Sequence, residues 1–231
     1  MFSRVNSIIF IINMKTALIF GSSGLIGNNL LNCILKDDYY QKIKLFIRTK
    51  IDIGDPRVEV IYDDFKNTDN LEKTIIGDDC FFCIGTTKKD TPNKKEYRRI
   101  EYDIPVNIAK VAKLNSINSF FYVSSMGANS SVSNSYLRNK GQVEDVLVSL
   151  NFDKIAILKP SLLLGNRKKF RLAERIAQFV MTKMSFIFFG KMKKYKPIKA
   201  INVAKAIINI SKNNYQIKFF ESDKLLELSK K

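Results

Sequence analysis

Short apolar runs, separated by polar or glycine-containing stretches, recur along the first two thirds of the chain. They do not alternate with polar residues, which is the pattern of strands buried on both faces of a parallel sheet. Six strands are predicted, at Thr16 to Phe20, Ile43 to Ile47, Val58 to Tyr62, Cys80 to Ile84, Phe120 to Val123 and Ile155 to Leu158. Helical periodicity lies between them, notably after Leu25, from Arg98 to Leu114 and from Tyr136 to Leu150. This alternation predicts an α/β fold with a doubly wound parallel sheet.

The chain length and composition fit one globular domain. With 231 residues, 45% of them hydrophobic, the chain is long enough for one sizeable core, and global disorder is excluded. We expect a single domain over residues 1–231, in which residues 1–13 are an upstream start or a loosely packed extension. The chain has no His, which excludes Ser-His-Asp triads, Cys-His proteases and His-ligated metal centres.

Cysteine content and hydropathy restrict the location. Three cysteines cannot form a disulfide framework, so a reducing compartment is favoured. Cys80 and Cys83 have the spacing CxxC, but a strand places residues three apart on opposite faces, so we expect no redox or metal site there. No apolar run approaches the roughly 20 residues that span a bilayer. We expect a cytoplasmic protein, either free or peripheral on a membrane, without a metal.

Three glycines follow the first predicted strand with the spacing GxxGxxG. In a dinucleotide fold Gly21 would allow the tight turn, Gly24 would let backbone N–H groups approach a pyrophosphate, and Gly27 would let the helix pack closely on the sheet. The positive end of the helix dipole would face the same phosphate. The predicted cofactor contacts in this turn are Gly21, Ser22, Ser23, Gly24, Leu25, Ile26 and Gly27.

The end of the second strand indicates which dinucleotide is bound. Many NAD-binding folds carry an acidic residue there, on the ribose 2′-OH. Here the strand ends in Arg48, with Lys50 close behind. A guanidinium suits the 2′-phosphate of NADP(H), to which it can bond bidentately. The alternative is a surface arginine in a lysine-rich protein.

Hydroxyl residues at the end of the fifth strand are followed by a YxxxK pair, Tyr136 and Lys140. On a helix these two side chains share a face, so the ammonium of Lys140 would favour the ionised phenol of Tyr136. Tyr136 would then transfer a proton, Lys140 would also bind the nicotinamide ribose, and Ser125 would hold the substrate oxygen, with Ser124 as the alternative. The competing interpretation is a serine-capped helix with a surface Tyr and Lys.

Together these residues resemble the extended or atypical branch of the short-chain dehydrogenase/reductase superfamily, and within it the TIP30-like family of NAD(P)H-binding oxidoreductases. The resemblance covers roughly residues 14–212 and implies a Rossmann-type fold with a small C-terminal substrate or lid region. It adds cofactor contacts from the segments DF, CIGT and KPSLLLG, namely Asp64, Phe65, Cys83, Ile84, Gly85, Thr86, Pro160 and Leu162. Lys159 stands where this family usually has Arg, and Glu144 follows the YLRNKG motif.

Positive charge is concentrated in residues 166–199, which hold eleven basic residues and one acid, interleaved with bulky apolar side chains. Such a segment suits the surface of an anionic membrane. It equally suits a lid over a substrate pocket, with apolar residues in the core and solvated lysines. No nucleic-acid-binding module accompanies the charge, so nucleic acid is an improbable partner.

The sequence supports an NADPH-dependent reductase that acts on a small carbonyl substrate, through hydride transfer and a proton from Tyr136. One alternative is a regulatory or membrane-associated protein that binds NADP(H). A nucleotide-sugar epimerase or dehydratase is a further alternative, although only 91 residues follow Lys140. A homodimer is among the expected assemblies.

Overall fold

A seven-stranded, fully parallel sheet forms the centre of the protein in the computed structural model, which describes residues 14–48, 53–66, 68–165 and 190–231. Its strand order is β3-β2-β1-β4-β5-β6-β9. The strands are β1 (Thr16–Phe20), β2 (Lys42–Ile47), β3 (Val58–Tyr62), β4 (Asp79–Phe82), β5 (Ser119–Val123), β6 (Lys154–Lys159) and β9 (Phe219–Glu221). A separate pair joins β7 (Leu163–Leu164) to β8 (Ile198–Lys199).

Helices cover both faces of the sheet. They are α1 (Leu25–Leu35), α2 (Thr68–Thr74), α3 (Lys94–Arg98), α4 (Ile104–Leu114), α5 (Ser135–Ser149), α6 (Ala200–Lys212) and α7 (Ser222–Leu228). A π-helical segment (Arg99–Asp103) joins α3 to α4, and a 3₁₀ helix (Gly190–Tyr195) precedes β8. One buried core lies between the sheet and α1, α6 and α7, and the other lies under α2, α4 and α5. The predicted doubly wound parallel sheet is confirmed.

A row of aromatic side chains crosses one face of the sheet near the carboxyl ends of its strands. Phe46, Phe20, Phe82 and Tyr122 are successive register partners on β2, β1, β4 and β5. The rings of Phe20 and Phe46 stack with centroids 4.2 Å apart. All four side chains are buried, so the row forms a rigid apolar floor at this edge of the sheet.

Some boundaries differ from the expectations. Strand β4 ends at Phe82 rather than at residue 84, because the chain leaves the ladder to form a turn. The helix expected over residues 98–114 begins at Lys94, where the Asn93 side chain accepts two backbone N–H groups, and it is interrupted by the π segment. After residue 197 the chain forms β8 and then α6, which packs in the core.

Two expectations lie partly or wholly outside the described residues. These are the N-terminal extension over residues 1–13 and most of the basic segment, from residue 166 to 189. In the part of the chain that the structure describes, no helix is long and apolar enough to cross a membrane. The same part contains no cluster of three or more potential metal ligands among its Cys, Asp and Glu side chains.

Gly27 tests how closely α1 packs on the turn after β1. A Cβ at this position would lie 2.1 Å from the carbonyl oxygen of Gly21, which is backbone and cannot move aside. We expect Gly27→Ala to lower the free energy of unfolding by at least about 2 kcal/mol, measured by urea denaturation without ligand. Gly54→Ala is the matched control, since a Cβ there meets nothing within 4 Å. Equal stability of the two variants would contradict the close approach.

Candidate active site

The glycine turn lies at the switch point of the sheet, where β1 has β2 on one side and β4 on the other. Gly21 has a φ of +86°, and a Cβ there would lie 2.8 Å from the backbone N of Ile84, so a side chain is excluded. The first turn of α1 contains no acid, and no side chain caps it. Ser22 is buried, and its Oγ has no partner among the described residues. An uncapped helix start beside an unpartnered hydroxyl fits a dinucleotide pyrophosphate.

Cations gather at the edge where the adenosine end of a dinucleotide would lie. Arg48 is exposed directly after β2. Hydrogen bonds from Arg99 hold the pKa of the Glu96 carboxyl below its ordinary value, and Lys66 and Arg48 add to this shift. Lys66 in turn lies 3.0 Å from the carboxylate of Asp64. Sequence reasoning selected Arg48 and Asp64 but missed Lys66, Glu96 and Arg99.

Phe65 follows Asp64 with a φ of +58° and packs its ring against Phe20 of the aromatic row, at 6.1 Å between centroids. Its backbone carbonyl accepts a hydrogen bond from the guanidinium of Arg99. Phe65, one of the two predicted cofactor contacts here, is therefore anchored to the sheet on one side and to the π segment on the other.

The turn after β4, residues 83–86, lies against the glycine turn, as expected. Cys83 donates its backbone N–H to the carbonyl of Phe20. Burial raises the pKa of the Cys83 thiol to about 12, and the nearby Lys140 ammonium offsets this only partly. Cys80 lies on the other face of β4, in the other core. The CxxC spacing therefore brings no pair of thiols together.

The two candidate serines after β5 have different surroundings. Ser124 is buried, and its hydroxyl donates to Glu144, which also accepts from the ammonium of Lys159 at 2.8 Å. Ser125 is half-buried, and the only hydrogen bond of its hydroxyl in the described residues is a long one, 3.4 Å, to the carbonyl of Met126. The Ser125 hydroxyl thus remains available to a ligand, whereas that of Ser124 does not.

Tyr136 and Lys140 lie on the first turns of α5, which begins at Ser135 because Asn134 accepts two backbone N–H groups. Tyr136 is half-buried, and Lys140 is buried. The described residues contain no hydrogen bond between the Tyr136 phenol and either Ser125 or Lys140. The ammonium of Lys140 instead contacts the Val123 carbonyl at 3.2 Å.

Lys140 also contacts Glu101 at 3.2 Å and lies over the Tyr122 ring at 4.8 Å from its centroid. Sequence reasoning missed Glu101. Its position in the sequence could have identified it. Glu101 is a charged residue at helical spacing from Tyr97, Ile104 and Ile108, whose side chains are all buried. An acidic residue within such a buried stripe is expected only where another buried side chain pairs with it.

The segment after β6 borders the site from the other side. Pro160 is buried, and its carbonyl accepts from the backbone N–H of Met126, which follows Ser125. Leu162 is exposed. A Cβ on Gly165 would lie 2.6 Å from the Leu25 side chain at the start of α1, so this segment crosses in front of the glycine turn.

The parallel sheet, the switch point and the glycine turn define a dinucleotide-binding α/β protein. Residues 21–187 match the family described as NAD(P)H-binding, and the chain belongs to that family. It is 31% identical over 200 residues to "Protein FMP52, mitochondrial" of Debaryomyces hansenii, covering 85% of this chain and 87% of that protein. It is 29% identical over 228 residues to "Protein HTATIP2" of Rattus norvegicus, a TIP30-like protein, covering 94% and 90%.

Solved structures share the fold at low identity. An ADP-L-glycero-D-manno-heptose-6-epimerase from Helicobacter pylori superposes with a TM-score of 0.66 at 17% identity, covering 94% of this chain and 81% of that one. The Bordetella bronchiseptica enzyme WbmH, solved with NAD⁺, gives 0.66 at 14% identity, covering 90% and 75%. At these identities the likeness concerns the fold alone, and the NAD(P)H-binding family match supports a nicotinamide cofactor.

The expected cytoplasmic location is wrong, because the names of several relatives contradict it. Relatives from Debaryomyces hansenii, Scheffersomyces stipitis and Candida albicans carry the word mitochondrial in their names. Hydropathy and cysteine content could not reveal this, because they distinguish a reducing from an oxidising compartment and do not distinguish one reducing compartment from another.

The thiol environments generate a test of the CxxC segment. We expect Cys80 and Cys83 to resist iodoacetamide at pH 8 in the folded protein, since burial raises the pKa of both thiols and the thiolate is the nucleophile. In urea both should be alkylated rapidly, because an unperturbed thiol has a pKa of about 8.5. Peptide mass spectrometry measures each site, with half-buried Cys33 as the internal comparison. Diamide treatment that linked Cys80 to Cys83 in the folded protein would contradict this geometry.

Proposed function

We propose that this protein is an NADPH-dependent oxidoreductase of the short-chain dehydrogenase/reductase type, reducing a carbonyl substrate through Ser125, Tyr136 and Lys140. The observation that carries the proposal is the buried Lys140 ammonium. It lies at the carboxyl end of β5, bonded to the Val123 carbonyl, one helical turn after Tyr136. This charge lies next to the turn that follows β4, where the family resemblance predicts cofactor contacts.

The chain's own residues account for the proton in this reaction. NADPH, when bound, would supply the hydride for the carbonyl carbon. The Tyr136 phenol donates its proton to the carbonyl oxygen, giving the alcohol, and the Ser125 hydroxyl donates a hydrogen bond to the same oxygen. The Lys140 ammonium stabilises the resulting tyrosinate. Because Tyr136 is half-buried, water can return the proton.

Two other functions remain as competitors. A regulatory protein that senses NADP(H) would need no proton donor, which the Ser125, Tyr136 and Lys140 set provides. An epimerase has support from fold neighbours such as the Helicobacter pylori enzyme, but at 17% identity this likeness concerns the fold alone. A sensor would bind NADPH without turnover, and an epimerase would regenerate its cofactor without net consumption.

Arg48 is expected to set the cofactor preference. NADPH should bind at least tenfold tighter than NADH, about 1.4 kcal/mol, because the guanidinium pairs with the 2′-phosphate. Arg48→Ala should remove most of this difference in a calorimetric titration. Lys110→Ala, which removes an exposed charge from α4, is the control and should keep it. Equal affinity of the unmutated protein for both cofactors would refute the assignment.

Tyr136 is expected to be the proton donor. Tyr136→Phe keeps the ring but loses the hydroxyl, so NADPH affinity should survive while turnover of a carbonyl substrate falls by about 10² or more. NADPH consumption at 340 nm measures turnover. Tyr62→Phe is the matched control, because exposed Tyr62 also precedes a lysine by four residues, Lys66, but lies at the end of β3. If Tyr136→Phe kept the original rate, the mechanism would be wrong.

A further inference from the structure

A buried ion pair occupies the centre of the candidate site. The Lys140 ammonium lies 3.2 Å from the Glu101 carboxylate, and the two side chains are 4% and 0% exposed. The pair joins α5 to the π-helical segment, two elements that are far apart in the sequence. The proposed reaction, as described for Ser125, Tyr136 and Lys140, assigns nothing to Glu101.

The same carboxylate reaches the turn after β4. Glu101 accepts a hydrogen bond from the backbone N–H of Thr86 through its other oxygen. A Cβ on Gly85 would lie 3.4 Å from that oxygen and 3.9 Å from the Lys140 ammonium, so the pair lies directly beneath this turn. Glu101 therefore links the ammonium to the backbone that would face the nicotinamide half of the cofactor.

The charge on Lys140 depends on a partner. Burial lowers the pKa of the ammonium, but attraction from its neighbours outweighs burial and raises that pKa above its ordinary value. Tyr122 cannot supply the counter-charge, because burial also raises the pKa of its phenol, which stays neutral. The Val123 carbonyl supplies only a dipole. Glu101 is thus the charged partner that compensates desolvation.

We propose that Glu101 is a positioning residue, which keeps the buried Lys140 charged and fixes its ammonium between Tyr136 and the turn at Gly85 and Thr86. This inference rests on the proposed function, in which the charged Lys140 serves both the phenol and the cofactor. Without Glu101, the ammonium would have neither its counter-charge nor its link to the cofactor turn.

Other titratable groups around Lys140 leave a clear pH window. These groups are Cys83 in the turn after β4, Tyr97 on α3, Tyr122 on β5 and Tyr136 on α5. Burial raises the pKa of Cys83 and of Tyr97 to about 12, and it also raises that of Tyr122. None of these three titrates between pH 7.5 and 9.5 in the folded protein. Cysteine thiols do titrate at about pH 8.5 in the unfolded chain, so each variant is compared with the unmutated protein at the same pH. Tyr136 is removed from consideration by repeating each measurement in a Tyr136→Phe background.

The melting temperature without cofactor tests the pair directly. In the unmutated protein the raised pKa of Lys140 keeps it charged from pH 7.5 to 9.5, so its contribution to stability is constant. In Glu101→Gln, burial is no longer offset, and the pKa of Lys140 falls below its unfolded value. The folded state then favours the neutral amine, so the melting temperature should rise with pH across this window relative to that of the unmutated protein. The double variant Glu101→Gln/Lys140→Met should not show this rise.

NADPH binding tests the link to the cofactor. We expect Glu101→Gln to bind NADPH at least tenfold more weakly at pH 7.5, and to weaken further by pH 9.5 as Lys140 loses its proton. Cofactor fluorescence measures the affinity. Glu101→Asp, which keeps the charge, should recover part of it. In the unmutated protein the affinity should stay nearly constant over this window.

Asp79→Asn is the matched control for losing a buried acid. Asp79 is 1% exposed, accepts from the Tyr40 hydroxyl at 2.6 Å and lies 3.7 Å from the Lys15 ammonium, at the opposite end of β4. This variant should lose stability without the pH-dependent rise and should keep its NADPH affinity.

Three outcomes would overturn the inference. One is a Glu101→Gln protein with an unchanged pH response and NADPH affinity. Another is a Glu101→Gln protein that does not fold, if the double variant Glu101→Gln/Lys140→Met does not fold either. The third is unmutated protein that binds no NADPH, which would refute the proposed function as well. The melting experiment needs no cofactor, so it distinguishes a failed ion pair from a failed function.

Discussion

Parallel pairing is the constraint on which the rest of this structure depends. Seven strands that run in one direction bring their carboxyl ends to one edge, and each needs a crossover connection before the next strand. The reversal of strand order at β1 separates the loops after β1 and β4 and opens a crevice there. The glycine turn, the turn at Gly85, Ser125 and the Lys140 ammonium meet around this crevice although they are scattered along the sequence.

Local pattern was sufficient to predict six of the seven strands of the sheet. The bounds of β1 and β3 agree with the apolar runs. Strand β1 is buried along nearly all of its length, whereas β3 is an edge strand with exposed Glu59 and Tyr62. Strands β7 and β8 have two residues each and β9 has three, which is too few to form a recognisable hydrophobic pattern. The interruption at Arg99–Asp103 was also invisible, since a π segment has no distinct composition.

The site was predictable by residue type and only partly by geometry. Spacing identified Tyr136 and Lys140 because one helix carries both. It could not show that Lys140 turns to Glu101, since that contact depends on the packing of two helices. It favoured Ser125 with Ser124 as the alternative, and the position of Glu144, which accepts from the Ser124 hydroxyl, distinguishes the two.

The π-helical segment sets the phase between two halves of one helical rod. The segment contains one extra residue, because the Ile104 N–H donates to the Arg99 carbonyl five residues earlier. Relative to α4, this residue rotates α3 by roughly 100° from the position it would have in an unbroken helix. Insertion or deletion of a single residue in this segment would change the orientation of Glu101 without altering any strand. The electrostatics of the candidate site would then change with the register of the helix, without any substitution within the site.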